Sequence, residues 1–289
     1  LETFITQLKR QGQSLVALQE ETRVKVHIHT FKPANVITLA QQYGEFVTFK
    51  LENMQLQHNE HKQSKPKMPH KKVAFVVVAN GQGMIKLFKD LGCDMVIDGG
   101  PMMNTSSREF MNVYQQLDAD HIVVIPNNKN VVGSALQAAA LAELNNVTVL
   151  STKNMAQGYF AKAMDLCEDD DFETRLECMQ QGADSAQTLA ISIASRDFSG
   201  SISCKKGDYI ALLNERQICS FPDFEQTLRV ALQHVPHIDE KENAILFKGY
   251  HVPIETETVV RRVFAESYAD MDCEYINGGQ GVFVYIIGF

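Results

Sequence analysis

Val73-Ala74-Phe75-Val76-Val77-Val78 runs directly into Ala79-Asn80-Gly81-Gln82-Gly83. Six apolar residues without polar alternation describe a strand covered on both faces. The small, polar turn behind it leads into a helix over Met84–Leu91. The same unit then recurs. Strands are expected at Met95–Asp98, His121–Pro126 and Val147–Leu150, and helices at Ser107–Leu117, Val131–Leu144 and Gln157–Asp165. Phe110, Val113, Tyr114 and Leu117 share one helical face. Apolar strands alternating with helices specify a doubly wound, parallel α/β domain over residues 73–165.

Outward from that core the pattern changes. Residues 166–289 read as a second α/β domain with a mixed sheet. A long helix is expected over Glu173–Ala190, followed by strands at Ile191–Asp197, Tyr209–Asn214 and Gln217–Ser220. Helices at Asp223–Val235 and Ile254–Tyr268 separate strands at Ala244–Lys248, Cys273–Asn277 and Val282–Gly288. Gly278-Gly279-Gln280-Gly281 reads as a turn joining the last two strands, which implies some antiparallel pairing. Residues 1–63 read as a small α/β unit with strands at Ser14–Glu20, Thr22–Thr30 and Phe46–Met54. Pro33 opens a helix there, because its missing N–H is harmless in a first turn. Residues 64–72 are basic and carry two prolines, and read as a solvated linker.

The totals narrow the function. A net charge of −8 over 289 residues argues against nucleic-acid binding, which needs clustered cations. No stretch approaches the roughly 20 apolar residues of a membrane span. Leu1-Glu2-Thr3 is not a signal peptide, and without a leading Met the chain reads as a fragment. Six cysteines at 93, 167, 178, 204, 219 and 273 form no CxxC pair, which suits free thiols in the cytoplasm. P-loop, GxSxG and HExxH signatures are missing from the sequence.

Chemistry is expected first at the carboxyl ends of the parallel strands, where open sheets bind ligands at helix N-termini. Asn80 and Gly81, the run Asn104-Thr105-Ser106-Ser107, and Asn127, Asn128 and Asn130 lie in those loops. They offer amides, hydroxyls and backbone N–H groups to an anion such as a carboxylate or phosphate. The same residue types also cap helices and turn chains, and the sequence leaves both readings open. Second, His27 and His29 stand two apart on a strand and share a face. With a third donor they suit zinc; as ordinary strand residues they are simply polar. Third, Arg196-Asp197 reads as a buried ion pair or a turn.

Several stretches resemble one family. Val24-Lys25-Val26-His27-Ile28-His29-Thr30, Leu51-Glu52-Asn53-Met54 with His58, Pro126-Asn127-Asn128-Lys129-Asn130, Lys206-Gly207-Asp208-Tyr209-Ile210 and the Gly278-Gly279-Gln280 ending resemble the fatty-acid kinase FakA family. Asp98-Gly99-Gly100-Pro101-Met102-Met103-Asn104-Thr105-Ser106-Ser107 resembles that family's EGGQTMNPST, but lacks its Gln, its Thr and its Pro. The resemblance covers nearly the whole chain. It implies an N-terminal DhaL-like kinase domain that holds ATP and magnesium and lies outside this chain. It also implies a middle domain and a DegV-like C-terminal domain, in a pathway of lipid metabolism that makes acyl-phosphate for phospholipid synthesis. The implied partner is a FakB-type fatty-acid-binding protein. Implied too is zinc held by His27, His29 and a cysteine from a segment before Leu1. The expected role is therefore protein interaction, regulation or homodimer formation. The alternative is a DegV-like module that binds a fatty acid or other anion.

Overall fold

The computed structural model describes residues 2–20, 23–47, 49, 68–165, 171–250 and 252–289. The chain divides into two compact units, Leu1–Ser64 and Lys65–Phe289.

The first unit contains α1 (Glu2–Lys9), β1 (Gln13–Glu20), β2 (Arg23–His29) and α2 (Pro33–Gln41). β1 and β2 form an antiparallel pair. Phe4 and Leu8 are buried, and the Phe4 and Tyr43 rings lie 4.7 Å apart. Tyr43 Oη donates to Gln7 Oε1 at 2.8 Å, which ties the end of α2 to α1. The strand expected over Phe46–Met54 is not seen at Phe46 or Val47, which lie in irregular chain; its remainder falls almost wholly outside the described residues.

The second unit holds two sheets. β3 (Lys71–Ala79), β4 (Met95–Asp98), β5 (Ala119–Ile125) and β6 (Val147–Val149) are all parallel, in the order β4-β3-β5-β6. β3 begins at Lys71, so the last two residues of the expected linker belong to the sheet. Crossovers run through α3 (Gln82–Asp90), α4 (Ser107–Tyr114) and α5 (Lys129–Leu141). Then α6 (Met155–Ala163) and α7 (Phe172–Ser185) carry the chain to the second sheet.

That sheet comprises β7 (Thr188–Ile193), β8 (Tyr209–Leu213), β9 (Arg216–Phe221), β10 (Asn243–Lys248), β11 (Asp272–Asn277) and β12 (Phe283–Gly288). Its order is β11-β10-β12-β7-β8-β9; only β10 and β11 pair in parallel. α8 (Phe224–Leu232) and α9 (Ile254–Ser267) lie between its strands in sequence.

The helix expected over Glu173–Ala190 stops at Ser185, and the strand expected from Ile191 already starts at Thr188. Ala186 turns extended, and Gln187 exchanges both backbone hydrogen bonds with Phe289, at 3.1 and 2.9 Å. Pairing with the chain's last residue outweighs local helix propensity.

Strand periodicity then sorts the core. In β3, Ala74, Val76 and Val78 face α4 and α5, through Phe110, Val113, Val131 and Ala135. Phe75, Val77 and Ala79 face the other way, onto Met84 and Phe88 of α3, Met155 of α6 and Met179 of α7. Ile245, Phe247 and Ile286 of the mixed sheet pack into that same cluster. The opposite face of the mixed sheet, with Leu189, Ile191, Leu246 and Ile287, is covered by α8 and α9. The unit is therefore five layers deep, with a Met- and Phe-rich helical layer shared by the two sheets. Each fully buried side chain of this size contributes roughly 1.5–3 kcal/mol. Within the shared layer, Asp165 pairs with Lys162 at 2.8 Å and Arg175 at 2.7 Å, all three nearly buried.

Candidate functional site

The strand order places a topological switch point between β3 and β5. The chain leaves β3 for β4 on one side, then crosses to β5 on the other. The carboxyl ends of the strands at such a point are where open α/β sheets bind ligands. The expected site residues gather around this point. Most of their polar atoms are already engaged.

Asn80 is nearly buried, and its Oδ1 accepts the Gly281 N–H at 3.1 Å. Gly81 has φ of 91°, in the region that favours glycine. Behind it, the N–H groups of Gly83 and Met84 donate to Gly278 O at 3.0 and 3.1 Å. The positive end of α3 thus faces a carbonyl of the molecule's own β11–β12 turn. A Cβ at Gly83 would fall 1.7 Å from Asn277 O, so this clasp between the sheets requires glycine.

In the β4–α4 loop, the Asn104 side chain is exposed and its N–H donates to Gly99 O. Ser106 caps α4 in a full capping box with Glu109, which satisfies two helix N–H groups reciprocally. Ser107 Oγ donates to Gln137 Oε1 at 2.7 Å. Thr105 differs: it is 1% exposed, and its Oγ1 has no partner among the described residues.

After β5, Asn127 adopts φ of 53°. Its N–H donates to Thr152 Oγ1 and its Nδ2 to Val78 O, both at 2.9 Å. Its Oδ1 has no partner among the described residues and abuts Gly158, where a Cβ would come within 1.9 Å. Asn128 caps α5 by accepting the Asn130 N–H, and donates Nδ2 to Met103 O at 3.0 Å. The Asn130 side chain is exposed.

Sequence reasoning passed over Gln280 and Thr152. Gln280 is 1% exposed; its Nε2 donates to Phe247 O at 2.8 Å while its Oε1 is unpartnered among the described residues. A Gln set between glycines in an otherwise apolar turn was the available signal. Because Nδ2 of Asn127 and Nε2 of Gln280 are committed to carbonyls, each amide leaves only an acceptor oxygen. Acceptor oxygens repel a carboxylate or phosphate. They suit a hydroxyl, an amine or a protonated acid, and Thr105 Oγ1 suits either donor or acceptor.

Elsewhere, Arg196 and Asp197 lie in the exposed β7–β8 connection, where Asp197 accepts the Lys206 N–H at 2.7 Å. The alternative of a turn holds, and the buried ion pair does not. In the first unit, β2 carries His27 and His29 at alternate positions. The His29 side chain is exposed; that of His27 lies outside the description. No group of three His, Cys, Asp or Glu suited to a metal occurs among the described residues. No described helix is long and apolar enough to cross a membrane.

Comparison with known proteins agrees with this architecture. Residues 74–289 match the FakA-like C-terminal family of fatty acid kinase, and residues 1–61 match the FakA-like middle domain. Protein YloV of Bacillus subtilis is 31% identical over 99% of this chain. The chain spans about half, 52%, of that relative's length. A DegV family protein of Corynebacterium glutamicum shares the fold over 75% of this chain and 95% of its own, with a TM-score of 0.55 at 13% identity. A DegV lipid binding protein of Thermotoga maritima does so over 75% of this chain and 98% of its own, with a TM-score of 0.55 at 13% identity. Two sheets with a shared helical layer, matched in fold by DegV proteins and in sequence by both domain families, lead to one assignment: the chain belongs to the FakA-like family of fatty acid kinase and spans its middle and C-terminal domains.

Proposed function

We propose that residues 65–289 are the docking and regulatory part of a FakA-type fatty-acid kinase, engaging the fatty-acid-binding partner while a kinase domain outside this chain binds ATP and magnesium. What supports this reading is the clasp at the switch point. The α3 N-terminus points at Gly278 O, and Met84, Phe88, Met155 and Phe247 fill the layer where an acyl chain would have to lie. A packed layer and a self-capped helix suit a surface that binds another protein better than a lipid carrier. The test is binding of the fatty-acid-loaded partner by the full-length kinase and by a form truncated after residue 64. Undiminished affinity of the truncated form would end the proposal.

A second reading has its own support. The unpartnered Thr105 Oγ1 and Asn127 Oδ1 are buried polar atoms, each worth about 1–3 kcal/mol if satisfied. On this reading local opening of the loops around Thr105 and Asn127 admits a small hydroxylated or acidic ligand, such as a protonated fatty acid. Native mass spectrometry after exposure to oleate tests it; an empty protein argues against it. For the middle domain, the proposal is that His27 and His29 complete a zinc site with an upstream cysteine in the intact kinase. Zinc content unchanged in both His27→Ala and His29→Ala would exclude that.

A further inference from the structure

The helix α5 is apolar on two faces. Val131, Ala135, Ala138 and Ala139 are buried in the cluster that holds Val76 and Phe110. The other face is open to solvent. Gly133, Leu136, Gln137, Ala140 and Leu141 are exposed there, Leu136 by 51% and Leu141 by 64%. From Asn130 to Ala142 the chain carries no charged residue. Other surface helices differ: α7 exposes Glu173 and Glu177, and α9 exposes Arg261 and Arg262. A helix that is apolar all round belongs in an interior, and an exposed apolar stripe marks a contact surface.

The spacing of the stripe specifies what fits it. Gly133, Leu136, Gln137 and Ala140 stand at i, i+3, i+4 and i+7, on one helical face. That spacing reads the same in both directions. A copy of α5 laid antiparallel across it sets Gly133 against the copy's Ala140, at both ends of the contact, and Leu136 against Gln137. Small residues at both ends let the two backbones approach closely, and Leu141 then meets the half-buried Val132. An isologous two-fold contact requires such self-complementarity. Charge points the same way. Each chain has a net charge of −8, and on an uncharged face two copies meet without setting like charges opposite each other. A membrane surface fits less well, because helices that lie on membranes carry Lys and Arg on their polar face. Here Lys129, at the start of the helix, is paired with Glu215.

We infer that the outer face of α5 is a contact between two copies of this chain, antiparallel about a two-fold axis that passes between Leu136 and Gln137. The inference goes beyond the docking reading and stands independently of it. About 18 Å of helix is a small surface beside the roughly 800 Å² per partner of a standard interface. The association is therefore weak and concentration-dependent.

Sedimentation equilibrium of the 289-residue chain, from micromolar to near-millimolar concentration, is the first measurement. The average mass is expected to rise with concentration. Leu136→Lys with Leu141→Lys is expected to weaken the association at least tenfold, and so is Leu136→Glu with Leu141→Glu. An equal mixture of the two double variants associates again, because the facing surfaces then carry opposite charge. Far-UV circular dichroism melts that match wild type establish that the variants fold. Disulfide trapping under mild oxidation reads the orientation, with the unsubstituted chain as background. Val132→Cys mixed with Leu141→Cys is expected to give a cross-linked pair. Leu141→Cys alone is not, since about 13 Å of helix separates the two positions in an antiparallel pair. A mass independent of concentration, an association that survives both double variants, no cross-link in the mixture, or a cross-link through Leu141→Cys alone overturns the proposal. So does loss of binding to the fatty-acid-binding partner or to anionic vesicles in the double variants while self-association is unchanged.

Discussion

Gly83→Ala isolates the clasp between the two sheets. Gly83 lies in the first turn of α3, where replacing glycine with alanine ordinarily stabilises a helix by about 1 kcal/mol. Here the new methyl would fall 1.7 Å from Asn277 O, a backbone atom that cannot swing aside. Overpacking of this kind costs about 1–3 kcal/mol. Separating the loops also weakens the hydrogen bonds from Gly83 and Met84 to Gly278 O, at about 1 kcal/mol each. The close contact outweighs the propensity gain, and the net loss is about 2–4 kcal/mol. At about 2–4 °C per kcal/mol for a unit of this size, the thermal midpoint falls by roughly 4–16 °C. Gly133→Ala supplies the opposite sign. It lies within α5 with nothing within 4 Å of its Cβ, so it is expected to gain about 0.5–1 kcal/mol. The chain has no tryptophan, so far-UV circular dichroism is the readout for both melts. A Gly83→Ala protein as stable as wild type would refute the clasp, and with it the argument that the switch point is held shut by backbone contact.

Three further outcomes are expected. Ser106→Ala removes the acceptor of the α4 capping box and lowers stability by about 1 kcal/mol, read from the urea midpoint. Asp165→Ala strands Lys162 and Arg175 without their shared carboxylate in a nearly buried site, and lowers stability by about 3–5 kcal/mol in the same titration. Burial pushes the Cys93 thiol up from 9.0 to about 12, so the folded state keeps a proton that the unfolded state releases. Stability therefore falls as pH rises from 9 towards 12, by up to about 1.4 kcal/mol per unit from this group. Urea midpoints across that range, compared between wild type and Cys93→Ala, check it: the variant loses less.

Part of this site was legible before the structure. The residues that surround the switch point were found by one rule, that ligand loops follow the carboxyl ends of parallel strands. Their roles were not. Ser106 and Asn128 are helix caps, and Asn80 is a tie to the opposite sheet. Capping and ligand binding use the same small polar residues, so local sequence does not separate them. Asn127 is the sharpest case. Only the contacts of its Nδ2 with Val78 and its Oδ1 with Gly158 reveal that it offers an acceptor and not a donor.

On its own, the sequence determined the strand–helix alternation and the apolar runs that demand cover on both faces. These follow from periodicity and from turn chemistry, which act over a few residues. Tertiary structure alone decided that the two sheets share one helical layer, that α7 ends early so Gln187 pairs with Phe289, and that Asn80 meets Gly281 across 201 residues. Such contacts leave no period in the sequence. They exist because backbone and buried polar groups must find partners, and those partners are distant along the chain.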